Sequence, residues 1–134
     1  MILVDSSVWI EFFKKTSELD LEANFDLGEA VTCLPVIQEV LQGFADERVY
    51  RLAQESMLAL PRVESPLDEQ VFVEAAELYR AARRSGVTPR SDTDCLIAVC
   101  GIRNNLSVLH LDRDFDRLAR VSPLQARQLE SADS

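Results

Sequence analysis

The sequence predicts an α/β fold in which a parallel sheet is covered by helices on both faces. Three observations carry that expectation. Short apolar runs, "ILV" at 2–4, "AVTCL" at 30–34 and "SVLHL" at 107–111, alternate with helical stretches. No repeat, low-complexity tract or Pro/Gly linker interrupts the chain, so one domain over residues 1–134 is expected. The composition, 47% hydrophobic and 28% charged over 134 residues, suits a chain that buries a real core.

The elements follow in order. "ILV" suits a buried strand, and Asp5-Ser6-Ser7 offers capping side chains ahead of the helical "VWIEFFKK". A second helix is expected over about residues 17–27, and "AVTCL" reads as a strand. Pro35 fits the first turn of the helix "PVIQEVLQGFA", where its missing N–H costs nothing. Residues 46–59 read as helix and "RVES" as a weak strand. "LDEQVFVEAAELYRAARRSG" is a long amphipathic helix closed by Gly86. A helix over about 92–104, the strand "SVLHL" and the short helix "RDFDRLA" come next, and the tail takes no firm assignment.

Composition also excludes function classes. Cys33, Cys95 and Cys100 are odd in number and lack CxxC spacing, which fits neither a disulfide framework nor a structural zinc site. A reducing cytoplasm is the expected compartment. The apolar runs fall far short of a bilayer span, and "MILVDSSVWIEFF" has no basic leader or small-residue cleavage site, so no membrane partner is expected. A net charge of -9 argues against coating nucleic acid through a basic face. It leaves room for a nuclease, whose metal site is itself acidic.

In open parallel sheets ligands sit beyond the carboxyl ends of the strands, which is where Asp5 and Asp112 or Asp114 fall. Each acid also has a bland reading. Asp5 caps the first helix, Asp112 or Asp114 caps "FDRLA", and in "SDTD" Ser91 and Asp94 form a capping box while Asp92 complements the helix dipole. Glu39 sits one turn inside a helix beside apolar Val36, Ile37, Val40 and Leu41; no basic residue stands at 35, 36, 42 or 43, and its bland reading is a solvent-facing glutamate. Taken together, crowded carboxylates stay ionised only with a compensating cation. Oxygen ligands without Cys or His select Mg²⁺ or Mn²⁺, the chemistry of phosphodiester hydrolysis.

"MILVDSSVWIEFF", "PVIQEVLQGF", "YRAARRSGVTPRSDTDCLIA" and "VLHLDRDFDRLA" resemble, in order from residue 1 to about 120, the signatures of PIN-domain ribonucleases of the VapC toxin type. The resemblance implies a Rossmann-like α/β/α sandwich, Mg²⁺- or Mn²⁺-dependent endoribonuclease activity on RNA, and inhibition by a cognate VapB-type antitoxin. By position it implies catalytic roles for Asp5, Glu39, Asp94 and Asp112, with Asp5, Asp94 and Asp112 as metal ligands. Asp92 then reads as the helix-start residue, and Asp114 stays ambiguous beside Asp112.

Supporting roles are open for several residues. Ser7 either hydrogen-bonds an acid or a metal water, or caps the helix. Arg90 either steadies a scissile phosphate or pairs with Asp92 or Asp94. His110 reads as structural, and Arg80, Arg83 and Arg84 suit the negative end of a helix dipole, with guidance of RNA as the lesser reading. Val8, Trp9, Ile10, Phe12 and Phe13 cover half of the first helix, wider than burial against a sheet requires. That surplus is either buried by a neighbouring helix or, as the resemblance favours, offers Trp9 and Phe13 to the antitoxin of a homodimeric toxin. A receiver-like domain fails for want of a late lysine, since Lys14 and Lys15 are the only two. A haloacid-dehalogenase-type phosphatase fails because Ser7 stands where a second acid is needed. A catalytically inert PIN-like module that binds RNA or protein remains the alternative.

Overall fold

Strand β1 (Ile2–Val4) leads at once into helix α1 (Ser6–Phe13), and β2 (Ala30–Val31) into α2 (Leu34–Gln42). Helices α3 (Glu47–Ala59) and α4 (Glu69–Arg84) precede α5 (Asp92–Arg103), β3 (Ser107–His110), α6 (Arg113–Ala119) and β4 (Ala126–Gln128). The computed structural model describes residues 1–14 and 26–129. Most of the helix expected over 17–27 lies outside the described residues, and Leu27–Glu29 form a single 3₁₀ turn capped by Asp26.

The sheet runs β2-β1-β3-β4 with every pair parallel. The chain steps from β1 to β2 on one side and then crosses to β3 on the other. Winding therefore reverses between β1 and β3, and the carboxyl ends of these two strands form the switch point at which such sheets bind ligands. The register sets Val4 against Leu109, and the Asp5 N–H donates to the Leu109 carbonyl at 2.9 Å. Leu3, Val4, Val108 and Leu109 are all fully buried. Successive strand residues point to opposite faces, so both faces are covered, as the expected sandwich requires. Burying each such side chain contributes about 1.5–3 kcal/mol.

Local chemistry explains where the elements differ from expectation. The run "AVTCL" pairs in the sheet only through Ala30–Val31. Cys33 is already the extended N-cap of α2, with Pro35 in its first turn. "RVES" forms no strand: Arg62 makes an isolated bridge to Thr32, and Glu64 then adopts a φ of 52° that ends the extended run. The helix begun by Pro35 stops at Gln42, with Gly43 as its C-cap. The unassigned tail holds β4, which pairs Ala126 with Val108. Its three residues are exposed or half-buried, so they carry no apolar signal. Elsewhere expectation and structure agree closely. Asp46 caps α3 by accepting the Arg48 and Val49 N–H groups, and "RDFDRLA" is α6.

Candidate active site

Asp5 stands one residue beyond β1 and is the N-cap of α1. Its Oδ2 accepts the Ser7 N–H at 3.1 Å and the Ser7 hydroxyl at 2.5 Å. The capping role is real but occupies one oxygen only. Oδ1 is buried and has no hydrogen-bond partner among the described residues.

Asp94 is the third residue of α5 and 5% exposed. The capping box is not formed, because Ser91 Oγ accepts from the Thr93 N–H at 3.2 Å and leaves Asp94 to point elsewhere. Its Oδ2 is also buried without a partner among the described residues. Glu39, half-buried in the second turn of α2, accepts the Ser6 hydroxyl through Oε1 at 2.9 Å. The solvent-facing reading of Glu39 is thereby replaced.

The fourth element contributes two acids. Asp112 caps α6 by accepting the Asp114 N–H through Oδ1 at 2.9 Å, and the same oxygen accepts from Arg90 Nη2 at 3.1 Å. Asp114 is only 1% exposed; its Oδ2 accepts the Arg90 backbone N–H at 3.0 Å, and Arg117 Nη1 lies 3.4 Å from its Oδ1. Asp114 therefore lies within the pocket beside Asp112.

These side chains meet at the switch point. One carboxylate oxygen from each of Asp5, Glu39 and Asp94 lies within 4.8 Å of the others, and the same holds for Asp94, Asp112 and Asp114. Asp94 joins the two triads. The electrostatic consequence is large: burial first, then the charges of Asp5, Asp112, Glu39 and Asp114, push the Asp94 carboxyl up to about 8. Burial raises Asp5 against the opposing hydrogen bonds of Ser7, and it raises Glu39 against that of Ser6. Two buried oxygens without partners in an all-carboxylate pocket fit a hard divalent cation, which would neutralise the crowd and fill the missing coordination.

The remaining sequence-predicted residues divide. Ser7 is not the helix cap; its hydroxyl bonds Asp5 and accepts the Leu111 N–H at 3.1 Å, tying the ends of β1 and β3 together. Arg90 pairs with Asp112 and Asp114, not with Asp92 or Asp94. Asp92 is exposed and, among the described residues, belongs to neither triad. His110 is fully buried, 3.2 Å from Asp116 through Nε2, and outside both triads. Trp9 is 3% exposed and Phe13 packs half-buried on the core, whereas Phe12 is 38% exposed. Ser6 was not singled out by sequence. Its pairing with Glu39 crosses 33 residues and has no local signal.

The fold and the acid cluster define a Rossmann-like α/β protein with a group of carboxylates at its switch point that could hold a metal ion. The chain belongs to the PIN domain family, whose model matches residues 2–121. It is 39% identical over 133 residues to ribonuclease VapC11 of Mycobacterium tuberculosis and to a VapC ribonuclease of Mycobacterium bovis, covering 94% of this chain and 97% of each relative. Among solved structures it is similar to VapBC2 from Rickettsia felis bound to a DNA fragment from its promoter, with a TM-score of 0.76, 16% identity and coverage of 97% and 100% of the two chains. DNA-bound VapBC from Salmonella typhimurium gives a TM-score of 0.72 at 17% identity over 96% and 98%. These structural likenesses speak for the fold. No described helix is long and apolar enough to cross a membrane.

Proposed function

We propose that this chain, a single domain over residues 1–134, is a Mg²⁺- or Mn²⁺-dependent endoribonuclease and the toxin of a toxin–antitoxin pair. What carries the reading is the pair of buried, unpartnered oxygens, Asp5 Oδ1 and Asp94 Oδ2, inside a pocket of acids. Asp5, Asp94 and Asp112 would hold the ion, and Asp114 adds negative charge beside Asp112. When bound, the ion supplies Lewis-acid charge to phosphate oxygens and makes water more acidic.

The chain's own residues do the rest. Ser7 fixes the Asp5 carboxylate against the end of β3, so one oxygen faces the pocket. Ser6 holds Glu39 by Oε1 and leaves its second oxygen to accept a proton from attacking water; burial raises the Glu39 carboxyl, which makes it a stronger proton acceptor. Arg90, at the pocket mouth, can exchange Asp112 for a substrate phosphate through its paired N–H groups.

The VapC relatives and the VapBC assemblies support a cognate VapB-type antitoxin. The proposal adds that this antitoxin contacts the Trp9 and Phe13 side of α1, where the aromatic cluster reaches solvent through Phe12, and that the toxin is a homodimer. Three free cysteines fit the reducing cytoplasm. Incubation with structured RNAs in Mg²⁺ or EDTA, with cleavage ends mapped, tests the activity. Mg²⁺-dependent cuts lost in Asp94→Asn are expected. RNA binding without cleavage at any Mg²⁺ or Mn²⁺ concentration would make the chain the inert PIN-like module.

A further inference from the structure

An acidic pocket is a poor first contact for a polyanion. In a chain of net charge -9, RNA needs a cationic surface beside the acids. The C-terminal end of α4 supplies one. Arg80, Arg83 and Arg84 are exposed and line one shallow hollow, and none makes an ion pair or side-chain hydrogen bond among the described residues. Helices α4 and α5 pack together and are joined by residues 85–91, so the last turns of α4 lie beside the end of α5 that carries Asp94. Arg80 shares a second hollow with Asp92, and Arg90 at the end of the link reaches Asp112 at 3.1 Å.

The competing explanation, that these cations cap the helix, is weakened by the backbone itself. Gly86, at a φ of 83°, lets its N–H reach the Arg83 carbonyl at 3.0 Å and the Val87 N–H reach that of Ala82 at 2.9 Å, while the Ser85 N–H takes Ala81 at 3.2 Å. The Ala81, Ala82 and Arg83 carbonyls are satisfied by the backbone without side chains. Arg80 also lies a full turn before the end, where the dipole has faded.

We infer that Arg80, Arg83 and Arg84 form a sequence-independent phosphate track that leads single-stranded RNA across the end of α4 to the acid pocket, with Arg90 as the last contact before the scissile bond. This rests on the ribonuclease reading above. Residues three and four apart share one helix face, which makes a row one strand wide.

The test uses the full chain and the variant Arg80→Gln/Arg83→Gln/Arg84→Gln. Binding of a fluorescent oligouridylate is followed by anisotropy in EDTA across a KCl series, and cleavage separately in Mg²⁺. Each lost contact lowers the slope of log K against log[salt] by about 0.7, so the triple variant should lose about 2. KM should rise at least about tenfold with kcat within about twofold, as for an interaction made equally in ground and transition states. Arg48→Gln/Arg51→Gln on α3, read against the double variant Arg83→Gln/Arg84→Gln that removes the same two charges, is the control for net charge and should change neither. An unchanged slope in the triple variant, or an equal loss in the control, overturns the track. So does unchanged RNA binding with loss of a protein partner, which would make the row a protein contact. Cleavage by wild type with no change of slope defeats the track alone; salt-sensitive binding without cleavage defeats the nuclease reading alone.

Discussion

Arg90 spans the mouth of the acid pocket onto Asp112: its Nη2 donates to Asp112 Oδ1 at 3.1 Å while its backbone N–H donates to Asp114 Oδ2 at 3.0 Å. The Arg90 side chain is 75% exposed, so solvent screens the pair and it holds Asp112 only weakly. It occupies a carboxylate that the proposed ion also needs. Arg90→Gln removes the competing charge and keeps the backbone N–H. Mg²⁺ should bind modestly tighter by calorimetry while the KM for RNA rises. Weaker Mg²⁺ binding would mean that Arg90 holds Asp112 in ligand geometry instead.

Metal-free stability should fall with rising pH. The Asp94 carboxyl stands at about 8 in the folded chain against 3.8 ordinarily, driven by burial and then by neighbouring acids. Between those values the folded chain keeps a proton that the unfolded chain releases, so stability falls as pH rises through the window. Urea unfolding in EDTA from pH 5 to 8 should show that slope, and Asp94→Asn should flatten it. Mg²⁺ should stabilise most at the upper end of the range, where protons no longer compete for the ligands. A wild-type slope as flat as that of Asp94→Asn would mean that the Asp94 carboxyl is not raised in the folded chain.

The sequence disclosed the parts of the site that have local signatures. Asp5 and Asp112 follow apolar strands directly, and a parallel sheet sends both to one edge; their dual service as caps hid nothing, because each cap uses one oxygen. Asp94 was legible from "DCLIA", but its separation from Asp92 depends on which way α5 turns, which the four letters of "SDTD" leave open. Asp114 stayed ambiguous for the same reason: both Asp112 and Asp114 start α6, and only packing against the Arg90 backbone buries the second. Ser6 and β4 were illegible. A hydroxyl that reaches across 33 residues, and an edge strand of three residues with little burial, are fixed by tertiary contacts alone.

Ser6 is expected to act through Glu39. Burial raises the Glu39 carboxyl and the Ser6 hydrogen bond opposes that rise, so Ser6→Ala should raise it further. The acid limb of the pH–rate profile for cleavage should move to higher pH, and kcat should fall roughly tenfold for a lost hydrogen bond to a charged group. Ser6→Thr keeps the hydroxyl and should restore much of both. A lowered kcat with an unmoved profile would mean a packing defect, and Glu39 would lose its assigned role as base.

The proposed antitoxin contact on α1 has to be probed through the aromatic that is reachable. Trp9 is 3% exposed and its ring stacks against Phe13 at 6.3 Å, while Phe13 meets Phe44 at 6.0 Å. Truncating a buried aromatic costs about 3–5 kcal/mol, so loss of binding by Trp9→Ala would not separate a lost contact from a damaged helix. Phe12 is 38% exposed and meets both rings edge-on at 5.6 Å and 5.2 Å, so it presents the same cluster to solvent. An exposed aromatic of this kind is the usual anchor for an apolar segment, worth at least about 2 kcal/mol where it is central to the contact. Phe12→Ala should therefore weaken capture of the antitoxin by about thirtyfold or more while leaving the melting temperature and RNA cleavage nearly unchanged. Wild-type affinity in that variant, measured by calorimetry with the product of the adjacent small gene, would move the interface off this face of α1.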